Sequence, residues 1–217
     1  MTNVTACQTL LKVQELPDLE NLLTDAQALI FDCDGTLVET PAVYAKAWQT
    51  AFAEAGQDME PAWYHERAGM SEHVLLDAFE MMRGVKLDRQ HVVQVMRRSA
   101  LQGMEQVTEI SLIADIARRF RSLKPMAVAS GGPEVVVMSS LRASRLLPLF
   151  DTVVTLDAVE KAKPAPDLFL EAATRLGVDP AGCLVFEDSP QGVEAAHAAG
   201  MPVIDVNDLI GATPISA

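Results

Sequence analysis

AQALIFDCDGT, residues 26–36, decides how the rest of the chain is read. Its first seven residues form a short apolar run that fits a buried strand. The run ends on two carboxylates one residue apart, Asp32 and Asp34, and Gly35 then permits a tight turn. Parallel α/β sheets bind ligands beyond the carboxyl ends of their strands. An acid pair at such an end is therefore a candidate for chemistry. Alone, Asp-x-Asp serves equally well as a turn or a helix cap, so the other strand ends have to be weighed with it.

Working outward, the pattern alternates after residue 107. PMAVAS (125–130), DTVVTL (151–156), CLVFED (183–188) and MPVIDV (201–206) read as strands. Residues 110–120, 133–146 and 167–176 read as helices, although Val135-Val136-Val137 is β-branched and works against the second of them. Gly177 closes the third. Ser189 and Pro190 supply an N-cap and a first-turn proline for a further helix that Gly200 ends. This alternation predicts an α/β fold with a doubly wound, Rossmann-like parallel sheet. Residues 41–107 interrupt it with helical periodicity alone: Val74, Leu75, Ala78, Phe79 and Met82 share one face, and Val92, Val93, Met96, Ala100 and Met104 continue the style. The expected organisation is an N-terminal extension over 1–25, a core domain over 26–40 and 108–217, and an inserted all-helical domain over 41–107. In the extension, Pro17-Asp18 opens a short helix with Leu16, Leu19, Leu22 and Leu23 at helical spacing, expected to pack on the surface of the core domain.

The chain has 217 residues and a formal net charge of −13, from 30 acidic and 17 basic side chains. That balance leaves no electrostatic footprint for nucleic acid or an anionic membrane. No apolar run approaches the roughly 18–20 residues of a membrane span, and the first residues lack the basic and apolar regions of a signal peptide. Cys7, Cys33 and Cys183 are scattered without metal spacing and read as reduced thiols, Cys33 as a small buried filler. The expectation is a cytoplasmic protein, monomer or homodimer, acting on a small molecule.

The strand ends carry Asp32 and Asp34, then Ser130-Gly131-Gly132, then Lys163-Pro164-Ala165-Pro166-Asp167, then Glu187-Asp188. Four converging acids repel one another, and a hard cation such as Mg²⁺ relieves that repulsion. A lysine and the backbone N–H groups of a Ser-Gly turn are what a phosphate needs. Together these groups describe phosphoryl transfer. Of the two aspartates, one attacks phosphorus and the other moves the proton of the leaving oxygen and the attacking water.

DCDGT (32–36), ASG (129–131), KPAPD (163–167) and FEDS (186–189), in that order and spacing, resemble the four motifs of the haloacid dehalogenase superfamily. The helical insertion resembles the cap of its β-phosphoglucomutase-like branch of sugar-phosphate phosphatases and mutases. The resemblance implies Asp32 as nucleophile, Asp34 as general acid/base, Ser130 and the Gly131 backbone as phosphate binders, and Lys163 as the bridge between nucleophile and phosphate. It implies Mg²⁺ held by Asp32, the Asp34 carbonyl and Asp188, with Glu187 bound directly or through water. It places substrate selection in the cap loop over 66–73, with Arg67, Met70, Glu72 and His73 as candidates.

Two departures favour a hydrolase. Mutases of that branch carry a histidine where this chain has Tyr44, and a basic cap-loop residue where it has Glu72. The function expected is a Mg²⁺-dependent phosphatase of a small phosphorylated metabolite, a sugar phosphate, working through an aspartyl-phosphate. The alternatives are a phosphosugar mutase and, in another class, a non-catalytic phospho-aspartate signalling or phosphosugar-binding module. Trp48, Trp63 and Tyr64 read as packing within the cap, and His65, His91 and His197 as surface residues.

Overall fold

The computed structural model describes residues 17–68 and 70–211. Helix α1 (Pro17–Asp25) leads into strand β1 (Ala28–Phe31). Four helices follow: α2 (Pro41–Glu54), α3 (Pro61–His65), α4 (Glu72–Arg83) and α5 (Arg89–Gly103). The chain then alternates through α6 (Ser111–Phe120), β2 (Met126–Ser130), α7 (Glu134–Ala143), β3 (Thr152–Thr155), α8 (Asp167–Leu176), β4 (Cys183–Glu187), α9 (Pro190–Ala198), β5 (Val203–Asp205) and α10 (Val206–Gly211). All five strands are parallel, in the order β3-β2-β1-β4-β5. β1 is therefore central, with Phe31 opposite Val128 on one side and Phe186 on the other.

β1, β2 and β4 are buried along their whole length, as expected of strands covered on both faces. Their side chains divide by parity. Leu29, Phe31, Met126, Val128, Leu184 and Phe186 face a core closed by α1, α6 and α7. Ala28, Ile30, Ala127, Ala129 and Val185 face a second core closed by α8 and α9. Phe31 and Phe186 stack across the β1–β4 pair at 4.8 Å between ring centroids.

The helices between β1 and β2 have a third core of their own. Phe52 and Phe79 stack at 3.7 Å, and Trp63 meets both edge-on. Pro41 and Pro61 open α2 and α3, and Asp88 caps α5 by accepting from the His91 N–H. Buried Glu80 ties α4 to the following turn by accepting from Lys86, Arg89 and the Leu87 N–H.

In two places the structure supplies the reason or the detail that the sequence reading lacked. The valine triplet lies in α7 despite its β-branching, because its side chains have separate destinations. Val136 packs into the core of the helical insertion, Val137 packs into the core under the sheet, and Val135 is exposed. Tertiary burial outweighs the few tenths of a kcal/mol, about 0.5 per residue, by which valine disfavours helix. Helix α1 does more than lie on a surface: Leu19 and Leu23 are buried within the sheet's own core, and Glu20 makes a bidentate pair with Arg119 of α6. Cys33 and Cys183 are buried free thiols, as read; Leu16 and Cys7 lie outside the described residues. No helix among the described residues is long and apolar enough to cross a membrane.

Candidate active site

The central position of β1 makes its carboxyl end the switch point of the sheet, where the loops after β1 and its neighbours part and leave a crevice. Asp32 extends β1 by one residue and donates its N–H to the Phe186 carbonyl. The backbone then folds back at once, with Leu37 and Val38 both donating to the Cys33 carbonyl. Gly35 sits in this turn at φ +90, where a Cβ would lie 2.3 Å from Asp188 Oδ2. Only glycine lets the first loop close against the fourth. Thr36 Oγ1 completes that contact by donating to Asp188 Oδ1 at 3.0 Å.

Lys163, on the loop before α8, donates to Asp32 Oδ1 and to Glu187 Oε1, each at 2.6 Å. All three side chains are under a tenth exposed. Glu187 Oε2 accepts from the Ser189 N–H and hydroxyl, and Ser189 Oγ in turn accepts from the Gly192 N–H. A Cβ on Gly192 would stand 1.7 Å from Glu187 Oε1, so the first turn of α9 reaches the carboxylate only because no side chain intervenes. Ser130 Oγ donates to Asp34 Oδ2 at 3.1 Å and accepts from the Gly132 N–H at 3.0 Å. Asn207 holds the fourth loop from outside, donating Nδ2 to the Asp188 carbonyl and to Asp205 Oδ1.

Burial raises the pKa of Asp32 well above the usual carboxylate range, with Lys163 opposing and the neighbouring acids adding. Asp34 is raised by burial against the pull of nearby hydroxyls. Asp188 is pushed up to about 7, by burial first and by Glu187 second. For Lys163, burial lowers the pKa, but Asp32 and Glu187 outweigh it and hold the ammonium above the ordinary lysine range. The cluster thus sets four carboxylates against one ammonium.

Three buried side-chain oxygens at this end have no hydrogen-bond partner among the described residues: Asp34 Oδ1, Thr40 Oγ1 and the Tyr44 hydroxyl. The Tyr44 hydroxyl and the Asp34 carboxylate flank one spot, since a Cβ on Gly132 would lie 3.2 Å from the Tyr44 hydroxyl and 3.3 Å from Asp34 Oδ2, the oxygen that Ser130 holds. Both open onto a cavity of about 80 Å³ between the strand ends and the helical insertion. Asp32, Asp34, Gly131, Lys163, Glu187 and Asp188 line its floor. Tyr44, Trp48, Tyr64, Met70, Glu72, Leu75 and Met96 line its roof.

The strand-end residues singled out in the sequence are brought together, Ser130 through its bond to Asp34. Of the four cap-loop candidates, Met70 and Glu72 line the cavity, and the other two do not. Arg67 lies over the Trp63 ring at 4.6 Å and donates to the Trp63 carbonyl and to Glu66, local partners that hold it away from the roof. His73 is exposed, on the far side of the α4 start, facing a groove shared with α5 and residues 156–162. Trp48 and Tyr64 pack as read and also form part of the roof. Thr36 ends the DCDGT stretch but was given no role of its own, and Asn207 was not singled out, a lone asparagine carrying no spacing signal.

Among the described residues, no three His, Cys, Asp or Glu side chains form a group that could hold a metal ion. Mg²⁺ asks for less, one or two carboxylates with waters and a substrate phosphate oxygen. Asp32 and Asp188 are the carboxylates on offer, and both oxygens of Glu187 already accept from protein donors.

Similarity to known proteins agrees with this geometry. The haloacid dehalogenase-like hydrolase family matches residues 26–200. The fructose-1-phosphate phosphatase YqaB of Escherichia coli is 34% identical over 180 residues, which are 82% of this chain and 95% of that protein. The 6-phosphogluconate phosphatase of the same organism is 28% identical over 180 residues, 82% of this chain and 80% of its own. Among solved structures, CbbY of Rhodobacter sphaeroides in complex with phosphate superimposes with a TM-score of 0.72 at 25% identity, covering 82% of this chain and 84% of that one. The chain belongs to the haloacid dehalogenase-like hydrolases, and the protein is an enzyme of that family.

Proposed function

We propose that the protein is a Mg²⁺-dependent phosphatase of a small phosphorylated metabolite, a sugar phosphate, and that it works through an aspartyl-phosphate on Asp32. What supports this reading most directly is the Lys163 ammonium shared at 2.6 Å between Asp32 and Glu187, beside an Asp34 with one buried oxygen lacking a partner among the described residues. Lys163 opposes the burial that favours a protonated Asp32, and the bound cation adds to that pull; Glu187 keeps Lys163 in place. Asp32 attacks phosphorus, and the bond from phosphorus to the leaving oxygen breaks while Asp34 gives that oxygen a proton. Asp34 then takes a proton from water as the water attacks phosphorus, which frees Asp32 and inorganic phosphate. Ser130 orients Asp34, and the Gly131–Gly132 backbone meets the phosphate.

The donor set fits Mg²⁺: hard oxygens from Asp32, Asp188 and the Asp34 carbonyl, in a cluster whose acids outnumber its one ammonium. When bound, the cation neutralises charge on the phosphate oxygens. The helical insertion acts as a cap that excludes bulk water and admits small substrates. Asp32→Asn tests the mechanism. Phosphate release should fall by about 10⁴-fold or more while circular dichroism stays unchanged. Undiminished release in that variant removes Asp32 as nucleophile. A new phosphosugar in place of inorganic phosphate makes the protein a mutase.

A further inference from the structure

Building on the phosphatase reading above, we infer that the substrate carries a single anionic group: it is the phosphate monoester of a neutral, hydroxyl-bearing sugar or polyol, and Glu72 is the residue that turns a second anion away. The charges around the cavity lead there. Lys163 is the only cationic side chain lining it among the described residues, and its two short bonds go to Asp32 and Glu187. With a divalent cation, that lysine answers for one phosphate at the floor. Nothing positive is left over at the roof.

Two arginines lie near the roof, and each is engaged elsewhere. Arg97 of α5 donates Nε and an Nη to the two oxygens of Glu72 at 2.9 and 2.8 Å, and does not line the cavity. Arg67 rests on Trp63 and donates to Glu66 and the Trp63 carbonyl. The charge that lines the roof is the Glu72 carboxylate, whose two oxygens already hold Arg97, so a second anion finds no free cation there and the nearer charge is like its own. A carboxylate or second phosphate on the substrate would meet like charge there, in a site partly shielded from water.

Hydroxyls suit the same surface. The Tyr44 hydroxyl is buried and unpartnered among the described residues, and burial with the neighbouring acids keeps it protonated. It therefore has a hydrogen to donate into the cavity. Glu72 accepts. A sugar hydroxyl both accepts and donates, so it satisfies both groups, whereas a carboxylate has no hydrogen for Glu72. Trp48 and Met70 add an apolar wall for the C–H face of a ring.

Matched pairs differing by one anionic group test this on the unaltered full chain with Mg²⁺: glucose 1-phosphate against glucuronic acid 1-phosphate, and fructose 1-phosphate against fructose 1,6-bisphosphate. The neutral-headed member of each pair should lead in kcat/KM by about 100-fold. Equal or better turnover of the doubly anionic members overturns the inference and leaves the phosphatase reading intact. No chelator-sensitive phosphate release from any of the four, or from p-nitrophenyl phosphate, takes down both. Glu72→Gln removes a negative charge and frees Arg97, so it should narrow the ratio within each pair by about tenfold, with p-nitrophenyl phosphate reporting that the variant is folded and active. An unchanged ratio in an active variant removes Glu72 from the role.

Discussion

The floor and the roof of the cavity are built on different principles. At the floor, each charged side chain is held by at least one partner: Lys163 by two carboxylates, Glu187 by a lysine and a serine, Asp34 by Ser130, Asp188 by Thr36 with its carbonyl on Asn207. At the roof, aromatic and aliphatic side chains predominate, with one hydroxyl lacking a partner among the described residues and one carboxylate. The floor is pre-organised for a fixed set of charges, as chemistry on a phosphate requires. The roof is shaped by the packing of helices, which different sequences vary without disturbing the sheet. On the proposed function, chemistry would reside in the loops of one layer and selectivity in a separately cored layer above it.

The largest expected effect strikes the floor. Lys163→Met leaves Asp32 and Glu187 buried without their counter-charge. Breaking one side of such a buried pair costs about 3–5 kcal/mol, and phosphate release should drop with it. The pH dependence has a definite sign. Asp32, already raised by burial, binds its proton tighter still without the ammonium that opposed this, so the variant's deficit is full at neutral pH and shrinks as pH falls through the range where Asp32 protonates. Urea denaturation in chelator at neutral and acid pH reads this directly. A deficit independent of pH would mean that packing, and not charge, explains the loss.

Phe79→Ala breaks the roof from within. The ring is fully buried, stacked on Phe52 and met edge-on by Trp63. Its loss costs about 3–5 kcal/mol by urea denaturation. Because the Phe79 core is separate from those of the sheet, KM for sugar phosphates should suffer more than kcat for p-nitrophenyl phosphate. Equal damage to both would show that floor and roof are coupled more tightly than their separate cores suggest.

The same division governs what the sequence made legible. The floor residues were easier to single out because Asp32, Asp34, Glu187 and Asp188 stand at the ends of apolar runs that mark strands, and Lys163 stands in a proline-flanked loop just before a helix. The roof residues were harder, because Arg67, Met70, Glu72 and His73 are neighbours along the chain yet point in different directions. Helix geometry and a stacking contact on Trp63 decide which of them meets the cavity. Asn207 escaped notice for another reason, since its value comes from the β5–α10 junction passing beside Asp188, a contact that no spacing encodes. The burial of α1 was likewise hidden: its leucine spacing signals an apolar face, and the identity of the surface that receives it comes from the fold.

The smallest expected effect is the most discriminating, because stability and activity should move in opposite directions. Tyr44→Phe deletes a buried hydroxyl with no partner among the described residues and leaves the ring in place. A buried polar group without a hydrogen bond costs about 1–3 kcal/mol, so its removal should raise the melting temperature of the substrate-free protein by about 2–4 °C per kcal/mol. If that hydroxyl serves substrate, kcat/KM for a neutral sugar phosphate should fall by about tenfold, the worth of one hydrogen bond to a buried partner, and fall further than it does for p-nitrophenyl phosphate, which has no sugar hydroxyl to lose. Differential scanning fluorimetry and phosphate release on the same preparation measure both. A variant both less stable and less active would mean the hydroxyl is structural, and would move selectivity at the roof onto Glu72 alone.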